Sequence, residues 1–178
     1  MVDGDALMVD GRAVEPDTFM DALDPVLPMA YRLARGFLRN ADEAEDVLQE
    51  ATLKAWKYRG SLRAGSPLRP WFLAIVANQC RQTMRARWWS VIRQPDMPSA
   101  AQHQSGVEPD EVETLRQALL RLPTGDRLIL VLRYYLDQSF QDIADTLHIS
   151  TPAARVRTHR ALARLRPIVA IPGELTDE

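Results

Sequence analysis

Arg155, Arg157, Arg160, Arg164 and Arg166 lie close together with His159 among them, and no acid falls between Thr151 and Arg166. Such a cluster suits recognition of a polyanion better than bond-making. Guanidinium groups take phosphate oxygens, while small or polar groups between them can face base edges. On a helix, Arg157, Arg160 and Arg164 line one flank and Arg155 and Arg166 the other, with Val156, His159 and Ala163 between them. Ala154, Thr158, Ala161 and Leu165 share the remaining face at 3.6 spacing and can pack inward. A solvated basic helix is the plain alternative, but some Glu or Asp would be expected among randomly placed charges.

The segment that must position this helix precedes it. Phe140, Ile143, Ala144 and Leu147 fall at i, i+3, i+4 and i+7, one face of a helix, and Ser139 with Asp142 is a capping-box start. His148-Ile149-Ser150 reads as a short turn. Thr151-Pro152 then reads as a cap followed by Pro in the first helical position, with Ser150 as the other candidate cap. Two short helices across a tight turn form a helix-turn-helix, whose second helix is the one that enters a DNA major groove.

With 178 residues, 46% of them hydrophobic, the chain suffices for one ordinary domain or two small ones. Its net charge is only -2, yet the charge is segregated. Asp42, Glu43, Glu45, Asp46 and Glu50 form an acidic cluster, and Arg81, Arg85, Arg87 and Arg93 a basic one. Such segregation points to two partners, one basic and one anionic. One cysteine, Cys80, and three scattered histidines allow neither a disulfide nor zinc spacing. No paired carboxylates, phosphate loop or nucleophile-base set is found, so neither enzyme nor cofactor is expected. No apolar run reaches membrane-spanning length and the N-terminus is acidic, so a cytoplasmic protein without membrane insertion is expected.

In chain order, Met1 to Pro16 reads as a loose tail. Helical periodicity begins at Asp17, with Asp24-Pro25 as the cap and first turn of a second helix ending near Arg39-Asn40. The next helix, from about Ala41, buries Ala44, Val47, Leu48, Ala51 and Ala55. It leaves Asp46, Gln49, Glu50 and Leu53 outside, an acidic face with an apolar knob that could dock a basic helix or simply be solvated. Lys57 to Pro70 is a basic Gly/Ser/Pro loop, and Trp71 to Arg87 a helix burying Phe72, Ile75, Val76 and Cys80, bracketed by Trp71, Trp88 and Trp89. Arginines interleaved with aromatics could hold unpaired bases by stacking and phosphate pairing, although Trp71 lies beside the apolar face and reads as core. Val91 to Pro109 is a linker. A helix capped by Asp110 carries the stripe Val112, Leu115, Leu119 and Leu122, and another after Thr124-Gly125 buries Leu128, Ile129, Val131, Leu132 and Tyr135. No strand pattern is evident, and the fold class is all-α: two small helical domains, at 17–92 and 110–170, joined by a flexible linker at 93–109.

The segment Asn40-Ala-Asp-Glu-Ala-Glu-Asp-Val-Leu-Gln-Glu-Ala-Thr-Leu-Lys-Ala-Trp56, followed by Trp71-Phe-Leu-Ala-Ile-Val-Ala-Asn78, resembles region 2 of the extracytoplasmic-function sigma factors. Leu122-Pro123, Arg127, Leu132-Arg133-Tyr134, Phe140-Gln-Asp-Ile-Ala144, Leu147 to Ser150 and Arg155 to Arg166 resemble their region 4. The resemblance implies a promoter-specificity subunit of bacterial RNA polymerase, acting as a monomer. Asp46, Gln49, Glu50 and Leu53 would dock on the beta-prime clamp helices, with the beta flap as a further contact. Arg63, Arg69, Trp71, Asn78, Arg81 and Arg85 would take the minus-ten element, and Thr151, Arg155, Val156, Arg157, His159, Arg160 and Arg164 the minus-thirty-five element. An anti-sigma partner is implied as well. The chain departs from the family where Pro152-Ala153-Ala154 stands for the common Gly-Thr-Val and Thr158 for a usual Leu, and the loop before Trp71 is long. The rival readings are a helix-turn-helix regulator working without polymerase, which should dimerise on a palindrome, and a sigma-like adaptor that no longer reads DNA.

Overall fold

The computed structural model describes residues 7–9, 12–14, 16–62, 65–93 and 111–169. Helix α1, Pro16–Leu23, opens on its proline and buries Phe19 and Leu23 completely. A single 3-10 turn, Asp24–Val26, leads into α2, Leu27–Leu38. Pro25 and Pro28 both fall where first-turn N–H groups have no helical acceptor, so neither breaks a bond. Asp24 was expected as a cap, but its side chain caps nothing; its carbonyl accepts from the Leu27 N–H instead. Arg39 closes α2 in the left-handed region (φ 65°), its N–H donating to the Arg35 carbonyl at 3.0 Å. Asn40 then caps α3, Ala41–Tyr58, accepting from the Glu43 N–H at 3.1 Å.

Helix α3 buries Ala44, Val47, Ala51 and Ala55, with Leu48 half-buried, as the spacing required. These small side chains let it lie close against α2 and against α4, Leu68–Arg93. The latter is longer at both ends than the Trp71 to Arg87 expected from sequence. Pro70 is accommodated in its first turn, and the backbone of Trp88 and Trp89 continues the helix rather than bracketing it. The expected linker falls largely on residues 94–110, outside the described residues.

The second unit comprises α5, Glu111–Arg121; α6, Thr124–Leu130, continued by a π-helical stretch, Val131–Tyr135; α7, Phe140–Leu147; and α8, Thr151–Val169. Two expected core residues are not core. Leu115 is 42% exposed, although Ala118 and Leu122, three and seven residues on, are buried. Tyr135 is 49% exposed, because the wider π turn shifts the register and carries Tyr134 and Tyr135 outward. Leu130, not anticipated, is buried in their place.

The two units share one hydrophobic core. Helix α7 lies along α4, which explains why Leu73 and Ala77 are fully buried on a side the sequence left open. The π-helical stretch packs on α2, where Gly36 leaves room for the Tyr135 ring, and Arg32 donates to the Tyr135 carbonyl at 3.1 Å. Gln138 points its amide at the Met29 sulfur, 3.6 Å away. Arg69 pairs with Asp142 at 3.0 Å across the same seam.

Ahead of the helices lies an antiparallel hairpin, Leu7–Val9 with Arg12–Val14, in the register Leu7↔Val14, Met8↔Ala13 and Val9↔Arg12. It corrects the reading of Met1 to Pro16 as a loose tail without strand pattern. Asp10-Gly11 between two apolar pieces is a two-residue hairpin signal that the sequence does contain. The other regular elements among the described residues are all helical. Among the described residues no helix is long and apolar enough to cross a membrane, and no cluster of His, Cys, Asp and Glu could hold a metal ion.

Candidate functional site

The turn into α8 is built by three local devices. The Asp142 N–H donates to the Ser139 hydroxyl at 3.1 Å, and that hydroxyl donates to the Asp142 carboxylate at 2.7 Å, closing the cap of α7. His148 takes the left-handed conformation (φ 53°), and the Ile149 N–H returns to the Ala144 carbonyl at 3.0 Å. Ser150, rather than Thr151, caps α8: its hydroxyl accepts from the Ala153 N–H at 3.3 Å. Thr151 is thereby the first helical residue, and its hydroxyl donates to the Gln141 side-chain oxygen at 2.8 Å, tying the two helices together.

Ala154, Thr158 and Ala161 are buried against the preceding helices, and the Thr158 hydroxyl donates to the Ala154 carbonyl at 2.8 Å. That internal bond satisfies the hydroxyl where an apolar residue would otherwise stand. Arg155, Val156, Arg157, His159 and Arg160 all face outward, Val156 with 47% of its surface open. The Arg155 guanidinium lies over the Phe140 ring at 5.3 Å, which restrains it near the start of the helix. Arg164 differs from these, being ion-paired with Asp126 of α6. It stands nine residues beyond Arg155, about 14 Å along the axis. Pro152 has no N–H and that of Ala153 is already taken by Ser150, so the first turn has fewer donors for a phosphate.

A second cluster lies on α3. Asp46, Gln49, Glu50 and Leu53 are all exposed, Leu53 at 60%, and with Gln79 and Thr83 of α4 they line a shallow concavity of about 510 Å³. Lys54 holds its rim, 3.5 Å from Glu50 and 2.5 Å from the Gln79 side-chain oxygen. An apolar knob ringed by carboxylates can seat a helix that is apolar at its centre and basic at its edge.

The third set is only partly assembled. Arg63 lies outside the described residues. Asn78, Arg81 and Arg85 follow one another along the outer face of α4, with Arg81 donating to the Asn78 side-chain oxygen. Trp71 shares that face but is half-buried, edge-on to Phe19 at 6.4 Å and 82°, a core role. Arg69 is nine residues before Asn78 and therefore on the opposite side of the helix, where it meets Asp142. Hydrogen bonding from Ser139 and then the Arg69 guanidinium hold the Asp142 carboxyl below the usual carboxylate range.

The residue sequence reasoning missed is Arg127. It is 2% exposed, its guanidinium lies over the Phe37 ring at 4.6 Å, and its Nε and Nη1 have no hydrogen-bond partner among the described residues. Burial, then the neighbouring Arg39, pulls its pKa down. The signal available was one arginine beside the apolar run Leu128 to Leu132. Cys80 sits nearby in the core, and burial pushes its thiol up to about 12.

Comparison with known proteins gives a consistent picture. The family model for Sigma-70 region 2 matches residues 23–90, and that for Sigma-70, region 4 matches residues 113–165. RNA polymerase sigma factor CarQ of Myxococcus xanthus is 31% identical over 163 residues, which cover 89% of this chain and 91% of CarQ. The ECF RNA polymerase sigma factor SigD of Mycobacterium tuberculosis is 29% identical over 184 residues, covering 96% of this chain and 85% of SigD. Among solved structures, the sigma factor RpoE of Bartonella quintana, crystallised with the anti-sigma factor NepR, superposes with a TM-score of 0.66 at 26% identity, over 86% of this chain and 97% of that one.

Proposed function

The chain belongs to the sigma-70 family of RNA polymerase sigma factors, in its extracytoplasmic-function branch, and from that membership we propose how its own residues carry out promoter selection. As a sigma factor it directs RNA polymerase to promoters. We assign polymerase docking to the exposed acidic face of α3, with Leu53 as the apolar anchor and Asp46, Gln49 and Glu50 around it. Reading of the minus-thirty-five element falls to Thr151, Arg155, Val156, Arg157, His159 and Arg160. Arg164, engaged by Asp126, contributes less. Capture of the opened minus-ten strand falls to Asn78, Arg81 and Arg85, with Arg63 and Arg69 feeding it and Trp71 supporting the helix from below. The factor works in the cytoplasm without catalytic chemistry of its own, since its two grips act by placing the polymerase. An anti-sigma protein is its further partner; the similar sigma factor RpoE of Bartonella quintana is in complex with the anti-sigma factor NepR.

One observation carries this reading: over its first ten residues the outer side of α8 presents Arg155, Arg157, His159 and Arg160 and no acid, while its inner side is small and buried. Each grip is weak alone, and tethering to polymerase supplies the effective concentration. The promoter-bound form must also differ from the closed one. The two element names imply a separation of about 25 base pairs, roughly 85 Å of duplex at about 3.4 Å per pair. Units joined at 3.0 Å through Arg69 and Asp142 cannot span that. The seventeen residues 94–110 can extend to about 60 Å. With the width of the two units themselves this covers the distance, so the seam opens on promoter binding.

Run-off transcription with purified core polymerase, with the start sites sequenced, tests the assignment. Glu50→Arg should abolish capture by core polymerase while leaving the circular dichroism of the free protein unchanged. Retained capture would remove the docking role from α3. Nanomolar binding of the free protein to duplex operator would point to the polymerase-independent regulator instead.

A further inference from the structure

Most contacts across the seam between the two units favour its closing. Leu73 and Ala77 of α4 are fully buried where α7 lies along them, and the Tyr135 ring sits against Gly36. The Arg69–Asp142 pair is partly exposed, so water screens it and it adds little.

Arg127 opposes them. It stands on α6 of the second unit, and the groups that act on it come from the first: the Phe37 ring at 4.6 Å and Arg39, both of α2, and Cys80 of α4. It is 2% exposed, and its Nε and Nη1 have no hydrogen-bond partner among the described residues. No carboxylate acts on it, and Arg39 is a second cation. A guanidinium stays charged in a protein, so this side chain cannot escape burial by losing its proton. One aromatic face replaces only part of the lost water, because a cation–π contact is weaker than the charged hydrogen bonds given up. Gln138 repeats the pattern on a smaller scale. It is 4% exposed, its amide reaches only the weak acceptor Met29 Sδ across the seam at 3.6 Å, and its Oε1 has no partner among the described residues. In both cases the neighbour across the seam is α2.

We propose that Arg127, with Gln138 in a lesser part, keeps the closed arrangement weak: closing traps a cation without a counter-charge, and parting the units returns its N–H groups to water. Apolar burial closes the factor, and the trapped guanidinium readies it to open. The inference rests on the opening required above for promoter binding. It makes Arg127 a positioning residue for that activity, outside every binding surface assigned above.

Labels at exposed Glu45→Cys and Arg166→Cys of the full chain report the separation of the units by single-molecule energy transfer, and buried Cys80 stays unlabelled. Arg127→Met keeps an unbranched apolar stem and removes the charge. It should lower the open fraction roughly ten-fold or more and raise the melting temperature, as replacing buried charge by apolar groups of similar volume often does. Gln138→Met should shift the open fraction the same way by less. Arg127→Lys, which keeps the charge, should leave it at or above the wild-type value. An open fraction that is unchanged or higher in Arg127→Met would overturn the proposal. So would an Arg127→Met protein that melts lower or fails to fold, since the guanidinium would then support the closed form. An Arg127→Lys protein as closed as Arg127→Met would overturn it too, by making shape rather than charge the cause. Promoter capture with core polymerase should fall in Arg127→Met and return when Gly36→Leu loosens the same seam. Capture that stays at the wild-type level in a more closed protein would unseat the opening requirement and leave the role of Arg127 in the seam standing.

Discussion

Gly36 offers the sharpest test of the closed arrangement, because it lies in none of the assigned binding surfaces. A Cβ at this position would stand 3.0 Å from two carbons of the Tyr135 ring and 3.3 Å from a Val131 methyl. Ordinary carbon contacts are about 3.5–4.0 Å, so the neighbours must retreat by about half an ångström or more. In the isolated helix, Gly→Ala should stabilise by about 0.5–1 kcal/mol through lost backbone freedom. Against that, Tyr135 can yield only by loosening its contact with the Arg32 guanidinium, 5.3 Å from the ring centroid, and the 3.1 Å bond from Arg32 to its carbonyl. Those contacts together are worth about 1–2 kcal/mol. Gly36→Ala should therefore leave overall stability within about 1 kcal/mol of wild type while weakening the seam. Gly36→Leu, with three more carbons in the same space, should cost the seam about 1–3 kcal/mol or more as overpacking. That raises the open population by roughly five-fold at the low end and more than a hundred-fold at the high end. Single-molecule energy transfer between labels at Glu45→Cys and Arg166→Cys would read this directly. If Gly36→Leu leaves the distance distribution unchanged and simply raises the melting temperature, the units are not packed here in solution and the reasoning fails.

Ser139→Ala removes the cap of α7 and should destabilise by about 1 kcal/mol near neutral pH. It should also blunt the acid dependence. Asp142 has a depressed folded pKa, so its contribution is present above the ordinary carboxylate value of about 3.9 and disappears as pH falls through the lower folded value. Denaturant titrations from about pH 5 to 2 should show less loss of stability across that window in the variant than in wild type. Cys80, buried with its thiol pushed up to about 12, should react with a thiol reagent at pH 8 only as fast as the chain unfolds, measurable by mass spectrometry with and without denaturant. Arg157→Ala should weaken polymerase-dependent promoter binding and lower its salt slope by about one. Arg164→Ala, already engaged by Asp126, should change the slope by less, and equal effects would contradict that distinction.

Periodicity and capping residues made the elements legible from the sequence. The spacing of Ala44, Val47, Ala51 and Ala55, the Ser139 cap, the turn at His148 and the acid-free face of α8 are local features, set by side chains within one or two turns of each other. The chemistry of the candidate sites was legible for the same reason, since exposed residues on one helix need no second element to be placed. The N-terminal hairpin was legible too, through Asp10-Gly11, but was passed over for lack of a longer alternating pattern.

What lay beyond the sequence is whatever depends on one helix meeting another far along the chain. Nothing local says that Leu73 and Ala77 are covered by α7, that Tyr135 turns outward onto Gly36, or that Arg69 is drawn to Asp142, 73 residues away. Arg127 carries no local sign of burial, and it is a buried residue only because α6 closes on Phe37. Amphipathic period fixes which face of a helix is apolar, because it follows from 3.6 residues per turn. Which partner covers that face, and which polar group is trapped with it, is decided by packing between segments whose separation in sequence carries no periodic signal.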